Sequence, residues 1–145
     1  MNSASAASPA LPLVRPAIIR RPLAIVLGSL LVAVCAHISI PLGFTPVPVT
    51  LQTFAVLLLG LLLSPSLSAA ALLLYLVEGA IGLPVFSPYA PAGFLHLLGP
   101  TGGYLISWPF AAALTGLLRR RFVSRGFAPS LLAAAAGSLF ILLCG

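Results

Sequence analysis

Between Arg21 and Arg119 the chain carries one formally charged side chain, Glu78, and its seven arginines gather in two clusters beside apolar runs. A stretch of that length with so little charge cannot cover a water-facing surface. Soluble domains hold roughly 25% charged residues; this chain holds 6%, with 61% hydrophobic residues and a mean hydropathy of +1.21. A lipid bilayer is therefore the expected solvent, and the deficit requires several spans. The net charge of +6 does not suggest a nucleic-acid partner, because no aromatic-interleaved basic patch accompanies it. Clustered arginines beside apolar runs read as topology signals.

Residues 1–21 read as a disordered, basic-ended cytoplasmic tail, uncharged and rich in Ser, Ala and Pro up to residue 14. The remainder, 22–145, reads as one transmembrane domain. Its first apolar run, 22–40, has roughly the 20 residues that cross a bilayer. Val34-Cys35-Ala36 resembles a secretory cleavage site, but the rest of the chain is as apolar as the run itself, which argues against a signal. Prolines and a glycine in 41–49 end the first run. A second run, 50–63, is broken by Ser64-Pro65-Ser66, and a third covers 69–83. Residues 84–103 are too rich in Pro and Gly to span. A fourth run, 104–118, contains Pro109 and is expected to kink there; a basic loop, 119–129, precedes a fifth run, 130–145, about 24 Å long as a helix.

The expected fold is thus an all-α membrane protein, a helical bundle of about five transmembrane helices. Alternating spans put both arginine clusters on one side, so the amino terminus is expected in the cytoplasm and the loops 41–49 and 84–103 outside.

Pairs of small residues four apart, Ala24 and Gly28, Ala112 and Gly116, Ala133 and Gly137, suit close helix approach in lipid, either within the chain or against another membrane subunit. Glu78 is expected to face a cavity, a partner or the interface. His37, His96, Cys35 and Cys144 lack metal-ligand spacing, so neither metal nor cofactor is expected. No HExxH, GxSxG or carboxylate pair supports an enzyme. Near the outer loop ends lie Gln52, Thr53, Tyr75, Phe86, Tyr104 and Trp108, a few polar groups among aromatics that suit a small, partly apolar ligand.

Ile38-Ser39-Ile40-Pro41-Leu42-Gly43 with Pro46-Val47-Pro48-Val49-Thr50-Leu51-Gln52-Thr53 resembles the BioY family, the biotin-binding S components of energy-coupling factor (ECF) transporters. Gly79-Ala80-Ile81-Gly82-Leu83-Pro84-Val85-Phe86 and Leu98-Gly99-Pro100-Thr101-Gly102-Gly103-Tyr104-Leu105 agree in order and spacing. The resemblance covers residues 22–145. It implies a six-helix bundle of the bacterial inner membrane that takes biotin from outside and works with a transmembrane T component and ATPase subunits. It also implies a gate at 41–49, a docking role for Ala24 and Gly28, and a biotin pocket at Gln52, Thr53, Gly102, Gly103 and Tyr104. Two departures stand out. Glu78 replaces an apolar or small residue, and the chain stops before the family's sixth helix with its Asp and Lys. The domain is therefore expected to be incomplete at its carboxyl end, with Ala133 and Gly137 open to lipid and biotin bound poorly or not at all. From a different functional class, a non-transporting membrane scaffold or assembly subunit would use the same small-residue faces.

Overall fold

Ser64 opens a helix where the apolar runs alone suggest a break. Its side chain accepts from the Leu67 amide at 3.4 Å, and Pro65 occupies the first helical position, where a missing N–H costs nothing. The computed structural model describes residues 16–44, 48–89, 93–121 and 126–145. Its elements are α1 (Pro16–His37), β1 (Ser39–Ile40), β2 (Val49–Thr50), α2 (Gln52–Leu62), α3 (Pro65–Ala80), α4 (Phe94–Leu97), α5 (Gly102–Arg121) and α6 (Phe127–Cys144). The all-α bundle expected from the sequence is present, built on five longer helices. The tail 1–14, Arg15 and Arg125 lie outside the described residues.

Several boundaries differ from the sequence reading for identifiable reasons. α1 starts before Pro22 and carries that proline inside it. α3 starts at Pro65, not 69, because of the Ser64 cap. α6 starts at Phe127, with Pro129 in its first turn, where amides have no intrahelical acceptor. Its 18 residues extend about 27 Å, longer than the fifth run implied. By length and composition α1 and α6 qualify as membrane spans. The loop 41–49 is flanked by a short antiparallel ladder, Ser39 opposite Thr50 and Ile40 opposite Val49, and the loop 84–103 contains α4.

The arginine ends of the helices lie together. The Leu51 amide donates to Ile38 O at 3.1 Å, setting the end of α1 beside the start of α2. At the far end of α2, Arg119 Nη1 donates to the Leu61 carbonyl, one of the orphan carbonyls of a helix terminus, which a cation suits. Arg20, Arg21 and Arg119–Arg121 therefore share one end of the bundle, and the β-ladder and α4 the other.

Packing is inverted relative to a water-soluble protein. The interior is built largely from small residues, including Ala33, Ala36, Ala55, Ala71, Ala111, Ala112 and Ala133, together with Ser29, Ser68 and Thr115. Large side chains such as Leu27, Leu30, Val34, Phe54, Leu73, Phe110 and Leu139 point outward. An exterior of this kind belongs in lipid, where apolar bulk gains nothing by being buried and close backbone approach holds helices together. A Cβ on Gly60 would sit 2.7 Å from the Ala112 carbonyl, and one on Gly116 2.9 Å from the Gly60 carbonyl, so α2 and α5 meet nearly backbone to backbone. A Cβ on Gly137 would land on Thr115 Oγ1. Ala133 is fully buried as well. The expectation that Ala133 and Gly137 face lipid is corrected: α6 turns that face onto α5 and α2.

Candidate ligand-binding site

The 11 residues of α2 rise only about 16 Å, far less than a bilayer is thick. Its amino terminus directly follows the β1–β2 ladder, and Gln52 and Thr53 of its first turn line a cavity at the loop-bearing end of the bundle. The chain leaving α3 helps to close that space. Gly82 turns it with φ +96°, a left-handed value that glycine adopts without strain, and Leu83–Phe86 then fold back on α3. Phe86 lies on Gly79 so closely that any Cβ there would penetrate the ring. From that seat Phe86 meets Tyr75 edge-on, centroids 5.4 Å apart, and stacks on His96 of α4 at 4.5 Å. Trp108 of α5 completes the cluster, 6.1 Å from Tyr75.

The cavity has a volume of about 350 Å³, at the lower end of the roughly 300–1,000 Å³ usual for small-molecule sites. Its buried floor is made by Gln52, Ser87, His96, Leu105 and Trp108. Its more accessible wall carries Pro48, Val49, Thr50, Thr53, Tyr89, Pro100, Thr101 and Tyr104. No Arg, Lys, Asp or Glu lines it among the described residues.

Hydrogen bonding on the floor is partly spent and partly open. Gln52 Nε2 donates to Tyr75 Oη at 2.6 Å, and Tyr75 Oη donates to the Val85 carbonyl at 3.2 Å. His96 Nε2 lies 3.4 Å from Thr101 Oγ1. By contrast, Trp108 Nε1 and Ser87 Oγ are buried without a partner among the described residues. Buried polar groups are nearly always paired, and an unpaired one costs about 1–3 kcal/mol. Both belong to residues that line the cavity, while Ser39 Oγ, outside it, is likewise buried without a partner among the described residues.

Of the site residues expected from the sequence, Gln52, Thr53 and Tyr104 line the cavity. Gly102 and Gly103 do not. A Cβ on Gly102 would overlap the Leu97 carbonyl of α4, and one on Gly103 would lie 2.6 Å from the Cys144 carbonyl of α6. Both glycines let neighbouring elements approach α5, Gly102 beneath α4 and Gly103 beside the end of α6. Gly28 is buried, its absent Cβ pointing 2.9 Å from Ala71 Cβ of α3, while Ala24 one turn earlier is half-buried. The packing reading of that pair therefore accounts for Gly28. Sequence reasoning missed Ser87, His96 and Thr101 as wall residues. The signal was present, since Ser87 directly follows the Gly79–Phe86 motif and Thr101 lies inside the second one. The middle of the proposed gate, residues 45–47, lies outside the described residues.

Comparison with known proteins gives a consistent picture. The family described as the BioY family matches residues 4–145. A probable biotin transporter BioY of Pyrococcus horikoshii is 48% identical over 89 residues, 61% of this chain and 53% of that protein. The biotin transporter BioY of Rhizobium etli is 39% identical over 68% of this chain and 52% of its own length. That of Thermotoga maritima is 45% identical over 63% and 52%. The chain thus spans about half the length of the curated relatives it matches. Among solved structures, the S-component for biotin from an ECF-type ABC transporter superposes with a TM-score of 0.79 at 27% identity, covering 89% of this chain and 70% of that one.

Proposed function

The chain belongs to the BioY family, and from that premise we propose that it captures biotin at the outer face of the bacterial inner membrane as the substrate-binding part of a vitamin-uptake system. The observation that carries this reading is the floor of the cavity. Biotin offers a cyclic urea, with one carbonyl acceptor flanked by two N–H donors, fused to an apolar ring that bears an acidic tail. Trp108 Nε1 and Ser87 Oγ, unpartnered among the described residues, belong to the same cavity lining as Gln52, and Leu105 supplies apolar wall. A urea carbonyl satisfies the donors, and the acidic tail then extends toward the more accessible wall at Thr53, Thr101 and Tyr104. The absence of a lining cation among the described residues suits a neutral head group buried deep in the site.

The cavity fits the binding step of such an uptake system. Val49 and Thr50 of the ladder β1–β2, with Pro48 just before them, contribute to the cavity wall. A T component and cytoplasmic ATPases are the proposed partners. They would meet the lipid-facing side of α1, where Leu23, Leu27, Leu30 and Val34 are exposed, since Gly28 is occupied by α3. The multi-pass orientation, with arginines inside, follows the positive-inside rule.

Calorimetric titration of the purified chain in detergent tests the proposal. Biotin should bind, and an analogue in which the urea ring is opened to a diamine should bind at least about tenfold more weakly, having lost the carbonyl that the floor requires. Equal affinity for the two, or no biotin binding at all, would reject it.

A further inference from the structure

Tyr75 is fully buried on α3 and is not part of the cavity wall, yet its hydroxyl joins the wall to the loop that closes it. A phenol has one proton to give. That proton goes to the Val85 carbonyl, so only lone pairs remain for Gln52, and Gln52 must turn its NH2 toward Tyr75. In the opposite amide orientation two carbonyls would compete for the single phenolic proton, and one buried acceptor would go without. The hydrogen-bond network thus decides an orientation that the amide's shape alone does not. Gln52 Oε1, which makes no hydrogen bond among the described residues, is then the atom left for the cavity.

We propose that Tyr75 is a positioning residue for ligand recognition: it locks the Gln52 amide so that the floor presents one acceptor, Gln52 Oε1, alongside the two donors Trp108 Nε1 and Ser87 Oγ. The inference rests on the biotin reading, and it explains how a floor without charge selects a urea. The carbonyl of the ligand meets the donors, and one of its N–H groups meets Gln52 Oε1. Without the phenol the amide is free to flip, and its NH2 then opposes the ligand's N–H. Val85 is two residues from Ser87, so the same hydroxyl also ties the Ser87 segment to Gln52.

Two measurements on the full chain test this. In the first, biotin affinity is compared across wild type, Tyr75→Phe, Gln52→Leu and the double variant, each checked for unfolding temperature. Tyr75→Phe should weaken binding roughly tenfold in the wild-type background and have almost no further effect in Gln52→Leu, because it acts through the amide. Additive losses would overturn the inference and leave the biotin reading standing. Failure of the wild type to bind biotin would overturn both the biotin reading and the urea assignment. In the second, the Gln52 side-chain amide of the ligand-free protein is followed by NMR after selective 15N labelling. Tyr75→Phe should remove the protection of one amide proton from exchange; an unchanged signal overturns the positioning role whatever the ligand proves to be.

Discussion

Ser29 on α1 donates a hydrogen bond to the carboxyl group of Glu78 on α3. Ser29 is almost entirely buried, so the single acidic residue of the chain meets a neutral partner inside the bundle. Removing the hydroxyl with Ser29→Ala should destabilise the protein by about 0.6 kcal/mol and by no more than about 2 kcal/mol, the range for interhelical hydrogen bonds in membranes. Glu78→Gln keeps an acceptor and should stay within about 0.5 kcal/mol of wild type. Unfolding titrations in detergent measure both. A larger loss for Glu78→Gln than for Ser29→Ala would mean that the negative charge itself matters.

Trp108→Phe separates binding from stability. It removes an unpartnered buried N–H and keeps an aromatic ring in the cluster, so the stability change should remain within about 1 kcal/mol. Biotin affinity should fall about tenfold, since the ligand carbonyl loses a donor. Unchanged affinity in a folded variant would remove Trp108 from the recognition site.

Gly79→Ala acts through Phe86. Any Cβ must displace that ring, which also stacks on His96 of the cavity floor. The expected cost is about 1–3 kcal/mol from overpacking, with a parallel loss of biotin binding that Phe86→Leu in the same chain partly restores. A stable Gly79→Ala protein with full affinity would show that the ring is free to leave its seat.

Gly28→Leu distinguishes two roles for α1. A Cβ at this position would lie only 2.9 Å from Ala71 Cβ, so a leucine cannot fit between α1 and α3, and the isolated chain should lose more than about 2 kcal/mol of stability. Replacing outward Leu27 with Trp should leave stability within about 0.5 kcal/mol and reduce co-purification with a T component. A stable Gly28→Leu protein that loses only its partner would reassign Gly28 to docking.

Orientation is tested by cysteine accessibility in a background lacking Cys35 and Cys144. In intact cells a membrane-impermeant thiol reagent should label Phe44→Cys, beside the ladder, and spare Ser66→Cys, in the turn at the arginine end; both residues are exposed at opposite ends of the bundle. The reverse pattern would invert the topology.

Membrane residence, the number of long helices and the segregation of arginine to one end were legible in the sequence, because hydropathy and charge act residue by residue and need no knowledge of neighbours. The motif segments, noticed through the family resemblance and not through hydropathy, are those from which Gln52, Thr53, Thr101 and Tyr104 line the cavity. Partnership was not legible. Gly28, Gly116 and Gly137 read equally well as docking surfaces or as internal seams, and only the tertiary structure turned them onto Ala71, Gly60 and Thr115. Gly102 and Gly103 belong to packing against α4 and α6 and not to the cavity wall, whereas Ser87 and Trp108 bring the open donors to it. Lipid is the physical reason: it solvates large apolar side chains as well as the protein interior does. Which side chains face inward is therefore decided by where backbones can approach and by which polar atoms then find one another across the seam, as Ser29 finds Glu78 and Tyr75 finds Gln52.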